Sequence, residues 1–221
     1  MSNHLRIEIE KLKKYILALS TIVEESVQKS VQSIQERDEK LAEYVIDKDT
    51  EIDAREVELE EECLKVLALH QPVASDLRFI ISVLKINNDI ERIGDLAVNI
   101  AERGLHVSTH EPVNIPFDLI GMADITRIML RDSLQSLINT DVVLAANVVK
   151  LDEKVDAINR DMYNRVTAAI RNDLSQLETL LHYLSVSRYL ERIADHATNI
   201  AEDVLYMLEG EIVRHRIETV R

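Results

Sequence analysis

The chain has no tryptophan, one cysteine, three prolines, four glycines and only 4% aromatic residues in 221 positions. A single cysteine, Cys63, can form no intramolecular disulfide, so an oxidising compartment is not implied; between Leu59 and Val66 it reads as a small buried hydrophobe on an apolar face. So little glycine leaves little loop from which to build an active site. There is no Gly-rich phosphate loop, no Gly-x-Ser-x-Gly elbow and no base placed to activate the thiol. No apolar run approaches the ~20 residues needed to cross a bilayer. The opening Met-Ser-Asn-His-Leu-Arg lacks the segments of a signal peptide. The expectation is a cytoplasmic binding protein that meets membranes only through other proteins. Positive charge is also short, with 26 Lys and Arg against 40 Asp and Glu for a formal charge of −14. Such a surface repels nucleic acid and anionic lipid, and suits a cation or a basic protein face.

What remains is the composition of long helices, rich in Leu, Ile, Val, Ala, Glu, Lys and Arg. Three stretches punctuate it: Gln71-Pro-Val-Ala-Ser75, His110-Glu-Pro-Val-Asn-Ile-Pro116 and Arg171-Asn-Asp173. Pro72 ends a helix and Ser75 is the expected N-cap of the next; Pro112 and Pro116 mark a linker; Asp173 with Gln176 has the form of a capping box. With softer breaks near Asp38 and Asp141, the pattern predicts an all-α chain of six helices, roughly 3–37, 39–70, 75–108, 116–139, 141–170 and 173–209.

The helices divide three and three because the chain is written twice. Glu91-Arg-Ile-Gly-Asp-Leu-Ala-Val-Asn-Ile-Ala-Glu102 returns as Glu191-Arg-Ile-Ala-Asp-His-Ala-Thr-Asn-Ile-Ala-Glu202, with nine of twelve positions identical. Asp38, Leu41, Ala42, Asp49 and Asp53 likewise match Asp141, Leu144, Ala145, Asp152 and Asp156. The expected domains are two similar halves of three helices each, residues 1–110 and 115–221.

Within each copy of the repeated helix, Glu, Asp and Asn fall at i, i+4 and i+8, as Glu91, Asp95, Asn99 and Glu191, Asp195, Asn199. On a helix these form one stripe of oxygen atoms. A wheel sets that stripe opposite the apolar residues Ile90, Ile93, Ala97 and Ile100, so it is expected to face out of the bundle. The second helix of each half adds Asp49 with Asp53, and Asp152 with Asp156. If second and third helices are antiparallel neighbours, four carboxylates converge in each half. Like charges at 5–6 Å repel by about 0.7 kcal/mol in water and more at a partly desolvated surface. Repeating that cost twice points to an offsetting multivalent cation, and an all-oxygen set suits hard ions. The candidate ligands are Asp49, Asp53, Glu91 and Asp95 in one half and Asp152, Asp156, Glu191 and Asp195 in the other, with Asn99, Asn199 and Glu102 outlying. His196 lies about 100° off the stripe. A carboxylate-bridged dimetal enzyme is the competing reading, but such sites use Glu-x-x-His pairs inside a bundle, and none of the seven histidines has a Glu three positions earlier.

The paired motifs Asp49-x-x-x-Asp53, Glu91-Arg-Ile-Gly-Asp95, Asp152-x-x-x-Asp156 and Glu191-Arg-Ile-Ala-Asp195, together with Gln71-Pro-Val-Ala-Ser-Asp-Leu-Arg78 and Glu209-Gly-Glu-Ile-Val-Arg-His215, resemble the PhoU family of phosphate-signalling adaptors over essentially the whole chain. The resemblance implies two pseudo-symmetric three-helix bundles in tandem, each with a surface cluster of metal ions, whether iron, manganese, magnesium, calcium or zinc. It implies a non-catalytic negative regulator of the phosphate regulon, contacting the ATPase of a phosphate ABC transporter and a sensor histidine kinase, and forming homodimers. An accessory of another transporter is the alternative. The halves differ where Glu56 and Glu60 give way to Asn159 and Tyr163, so tighter cation binding is expected in the first. Arg92 and Arg192, each beside the first motif Glu, are expected to be ordinary ion-pair partners.

Overall fold

The structure, a computed structural model, describes residues 3–209, which form six long helices and no strand. They are α1 (Asn3–Glu36), α2 (Glu39–His70), α3 (Ala74–Ser108), α4 (Leu119–Asn139), α5 (Val142–Asn172) and α6 (Leu177–Glu209), with a single 3-10 turn at Leu174–Gln176. Of the expected motifs, only 210–215 of the chain ending lies outside the described residues. Helices α1, α2 and α3 pack on one another and α4, α5 and α6 do the same, giving the two three-helix bundles. No helix among the described residues is long and apolar enough to cross a membrane.

The two copies turn their first corner identically. Arg37 and Thr140 adopt left-handed φ values of 56° and 53°. Asp38 and Asp141 then cap α2 and α5, accepting hydrogen bonds from the Leu41 and Leu144 N–H groups at 3.1 and 3.0 Å. Elsewhere the chain departs from expectation. The connection Gln71–Val73 is so short that α3 begins at Ala74; Val73 stands at the N-cap without a side-chain bond, and Ser75 falls inside the first turn. Helix α4 starts at 119 rather than 116, because Asp118, not a proline, supplies the cap, accepting from Gly121 N–H at 2.8 Å. Asp173 caps the 3-10 turn through Ser175 N–H, while Gln176 donates to its carboxylate instead of reaching back to its N–H.

The bundles are not separate bodies. Helix α3 packs against α6, and α1 against α4, so one continuous apolar core draws on all six helices. With α1, α2 and α6 around it, α3 buries Leu96 and Ala101 as well as the expected Ile90, Ile93, Ala97 and Ile100. The acidic stripe lies half-buried along the α2/α3 seam instead of fully outward; the Glu91 and Asp95 side chains keep 25% and 40% of their exposure.

Close approach of α2 and α3 depends on Gly94, where an added Cβ would sit 3.2 Å from both Cδ1 and Cγ2 of Ile52. In the second repeat the corresponding pair is Ala194 and Val155, one methyl moved from one helix to the other. Ile52→Val alone costs about 0.5–1.5 kcal/mol, and Gly→Ala in a helix favours folding by about 1 kcal/mol where there is room. Gly94→Ala with Ile52→Val is therefore expected to be more stable than the sum of the single variants by about 1 kcal/mol in a denaturant double-mutant cycle. Simple additivity would show that the two side chains do not share the space.

Candidate metal centre

Each acidic site is built where two helices run side by side. Asp49 and Asp53 occupy one face of α2, Glu91 and Asp95 the facing stripe of α3. Their convergence is visible in their acidities. Burial pushes the Asp49 carboxyl above the usual range, and Asp53 and Asp95 push it further. Glu91 is raised by burial and by Asp95, with Glu56 and Asp53 adding to the effect and Arg92 opposing it. Glu56 is raised by burial and by Glu60 and Asp53. The four expected carboxylates thus form one patch, extended along α2 by Glu56 and Glu60. Arg92 spans the motif, 3.5 Å from Glu91 Oε2 and 3.4 Å from Asp95 Oδ2, as an ion-pair partner.

The second site repeats the plan on α5 and α6. Asp152 is raised by burial and by Asp156. Asp195 is pushed up to about 6, first by burial, then by Glu191, Asp152 and Asp156, against a small lowering by His196. Glu202 also acts on Asp152. Arg192 makes no ion pair among the described residues; the counter-ion of the second cluster is Arg160, 3.3 Å from Asp156 Oδ2.

One feature is shared by both sites and has no structural explanation within the protein. Asp49 Oδ1 and Asp152 Oδ1, which correspond in the repeat, are both buried and make no well-formed hydrogen bond; at Asp152 the carboxyl, raised by burial and by Asp156, has the Thr198 hydroxyl beside it, which opposes that rise. A buried carboxylate oxygen left unpaired costs on the order of several kcal/mol, and water would meet the cost only where it has access. Two such oxygens, each set among further carboxylates, fit a hard cation bound through oxygen. The chemistry available there is charge neutralisation and coordination. The Cys63 thiol is buried and pushed up to about 12 by burial and by Glu60 and Glu62, which makes it a poor nucleophile.

The outlying residues sort themselves. Asn99 donates its amide to the Asp95 carbonyl at 2.8 Å, which leaves only its oxygen for a ligand. Asn199 turns towards Asp89 Oδ1 at 3.5 Å. His196 donates from Nδ1 to the same Asp89 oxygen at 2.8 Å, tying α6 to α3 across the two repeats instead of joining the metal stripe. Glu102 lies 3.7 Å from Arg103. A further residue, Asn87, belongs to the first site. It is 1% exposed, donates to the Glu56 carbonyl at 2.9 Å and to Glu56 Oε1 at 3.2 Å, and presents a buried, unpartnered Oδ1. Asn87 stands four residues before Glu91 and so continues the stripe, but Ser187 replaces it in the second copy, where its hydroxyl donates to Asn159 Oδ1 at 3.0 Å. Comparing the copies for identity passes over it for that reason.

Comparison with known proteins places this arrangement among relatives. A family model described as "PhoU domain" matches twice, over residues 16–104 and 119–204. The chain is 36% identical over 209 residues to a phosphate-specific transport system accessory protein PhoU homolog from Aquifex aeolicus, covering 95% of each chain. A homolog of the same description from Pseudomonas putida is 35% identical over 216 residues, with 97% of this chain and 84% of the relative covered. Among solved structures, that of PhoU from Pseudomonas aeruginosa superposes with a TM-score of 0.90 at 32% identity, over 93% of this chain and 99% of the other. The phosphate transport system regulatory protein PhoU from Streptococcus pneumoniae gives 0.85 at 29% identity, over 95% and 99%.

Proposed function

This chain belongs to the PhoU family, and from that premise we propose that it is a metal-binding, non-catalytic regulator of a phosphate-specific transport system. Its two repeats, 1–110 and 115–221, each hold cations on one carboxylate cluster: Asp49, Asp53, Glu91 and Asp95 with Asn99 outlying, and Asp152, Asp156, Glu191 and Asp195 with Asn199 outlying. The observation that carries the reading is the pair of buried oxygens without a well-formed hydrogen bond, Asp49 Oδ1 and Asp152 Oδ1, at equivalent places in the two copies. Iron, manganese, magnesium or calcium matches the oxygen set, and zinc is the least suited.

A bound cation neutralises a surface that otherwise repels other acidic faces, and its open coordination positions can accept carboxylates or carbonyls from a partner. The proteins recognised in this reading are the transporter ATPase and a sensor histidine kinase, with negative control of the phosphate regulon as the result; membrane contact runs through them, and the working form is a homodimer. The names of the relatives, accessory and regulatory proteins of phosphate transport, support this assignment over that of an enzyme. Glu56 and Glu60 extend the first cluster, so it is the tighter of the two despite the nearby Arg92.

The test is Asp95→Asn combined with Asp195→Asn, which keeps side-chain shape and removes charge. The double variant is expected to lose most of its Mn²⁺ in equilibrium dialysis and to change its co-purification with the transporter ATPase and the kinase, with helicity unaltered. Of the single variants, Asp95→Asn should lose more. A double variant with full metal content would remove the site assignment, and one that loses metal but binds both partners normally would remove the regulatory role of the metal.

A further inference from the structure

A second group of metal-ligating side chains lies at one end of the α3/α6 pair, where it takes no part in the acidic clusters. His106 is in the last turn of α3 and His110 follows it by four residues; Glu178 and His182 are one turn apart at the start of α6. One ligand atom from each of His106, Glu178 and His182 falls within 4.8 Å of the others. His106 Nε2 is buried and lies 3.3 Å from Glu178 Oε1, but makes no hydrogen bond. The His106 ring stacks on His110 with centroids 4.4 Å apart and lies 3.7 Å from the His182 ring. His110 Nδ1 is 2.7 Å from the His106 carbonyl oxygen. A carbonyl only accepts, so Nδ1 carries the hydrogen, and in the neutral ring Nε2, 3.9 Å from Glu178 Oε2, is the nitrogen left to coordinate. A backbone carbonyl holding one ring nitrogen while the other is left to coordinate is the usual support of a histidine ligand.

The fold does not need these histidines for packing. The repeat places Tyr206, Arg78 and Ser82 at the positions corresponding to His106, Glu178 and His182. There, at the other end of the same helix pair, ordinary contacts join α3 to α6: Arg78 donates to the Met207 carbonyl at 3.4 Å, Ser82 to the Asp203 carbonyl at 3.5 Å, and Lys85 pairs with Asp203 at 3.2 Å. The cluster therefore breaks the internal symmetry with three imidazoles around one carboxylate. Imidazole with carboxylate selects zinc and the neighbouring divalent transition ions over magnesium or calcium, the opposite preference to that of the all-oxygen sites. Arg103 lies 3.7 Å from Glu102 Oε2 and is also near the cluster, where it adds to burial and His106 in holding His182 below its usual pKa.

We propose that His106, Glu178 and His182, with His110 as a fourth ligand, form a binding site for a zinc-like divalent transition ion that staples the end of the first repeat to the start of α6 in the second. Its ligands come from both copies, so the ion bridges the junction that the linker 109–118 spans. Binding the folded form alone raises its stability with the logarithm of the ion concentration above the dissociation constant.

The test uses the full chain, stripped with a chelator and held in excess Mg²⁺ so that the carboxylate clusters are occupied. Titration with Co²⁺ is expected to give one equivalent per chain with the intense visible bands of a four-coordinate site containing nitrogen, displaced by Zn²⁺. Glu178→Gln and His182→Gln should each weaken this binding at least about tenfold, the loss that even outer partners of such sites produce. Because the Glu178 side chain is 68% exposed, Glu178→Gln leaves the packing intact and its result is readable whatever His182→Gln does to folding. Asp95→Asn with Asp195→Asn should leave the Co²⁺ spectrum unchanged. Absence of the four-coordinate spectrum in the unaltered protein, or its loss in the acidic-cluster variant and not in Glu178→Gln, overturns the proposal. The first result leaves the cation sites at Asp49 and Asp152 untouched, and the second would move the Co²⁺ to them.

Discussion

Ile93→Ala is expected to lower the unfolding free energy of the entire molecule by about 3–4 kcal/mol, within the range for a fully buried large-to-small change, and to do so in one transition. Ile93 is fully buried on α3, the helix that meets α1 and α2 in its own bundle and α6 in the other. The apolar core runs through all six helices, so a cavity beside α3 removes contacts that both halves share. A first bundle that unfolded alone would strip α6 of its packing against α3 and leave that face in water. Cooperative loss follows. Guanidinium unfolding read by circular dichroism, with calorimetry alongside, checks it. Two resolved transitions, with only the earlier one shifted, would show that the halves are energetically independent.

The metal-free protein is expected to gain stability when the pH is lowered from about 7.5 to 5.5, and the cation-loaded protein to lose it. The groups responsible are carboxyls whose folded pKa is raised: Asp195 to about 6, and Asp49, Glu56, Glu91 and Asp152 in the same direction. A raised carboxyl binds its proton more tightly in the folded chain than in the unfolded one, so the slope of unfolding free energy with pH is negative between the two pKa values. The cost is fully present above pH 6 for Asp195 and disappears as pH falls towards its unfolded value of 3.8. Asp195 faces Glu191, Asp152 and Asp156 from α5 and α6, with only His196 opposing. Its shift would correspond to about 3 kcal/mol in a dry site, but the residue is more than a third exposed, and solvent screening reduces this to about 1 kcal/mol. A saturating divalent cation relieves the same repulsion without protons, and acid then displaces the ion. Melting curves at pH 5.5, 6.5 and 7.5, with chelator or with millimolar Mn²⁺, should therefore slope in opposite directions. Parallel slopes would mean that the clusters do not hold the ion. Carboxylates whose pKa is lowered by a lysine, such as Glu62 with Lys11, lose their contribution only below this window, while His182, held below its usual 6.5 mainly by burial, subtracts from the gain as pH falls through 6.5.

The parts of the molecule legible in the chain were those written in short-range pattern. Helical periodicity, the prolines around 112–116 and the aspartates at 38 and 141 mark the elements, because caps and breaks act over three or four residues. The acidic pairs were equally legible, since i, i+4 spacing alone puts Asp49 with Asp53 and Glu91 with Asp95. Ser75 misled, because a three-residue connection left no extended position for it to occupy. The transition-metal candidate was overlooked for a simple reason: a search for Glu three residues before His passes over Glu178-x-x-x-His182 and His106-x-x-x-His110, whose four-residue spacing also shares a helix face.

By itself the sequence determined an all-α chain written twice, with an acidic stripe on the third helix of each copy, because periodicity, caps and internal identity are local properties. Tertiary structure decided what lies across the helix seams. It set α3 against α6, so that the two copies share one core; it drew His196 and Asn199 to Asp89 and away from the metal stripe; and it left Asp49 Oδ1 and Asp152 Oδ1 buried without a well-formed hydrogen bond. It also gathered His106, His110, Glu178 and His182 from two repeats. Side chains some 70 to 110 positions apart meet only when helices dock. Which face each helix turns to its neighbour is settled by the burial of the whole apolar surface, a quantity no local window contains.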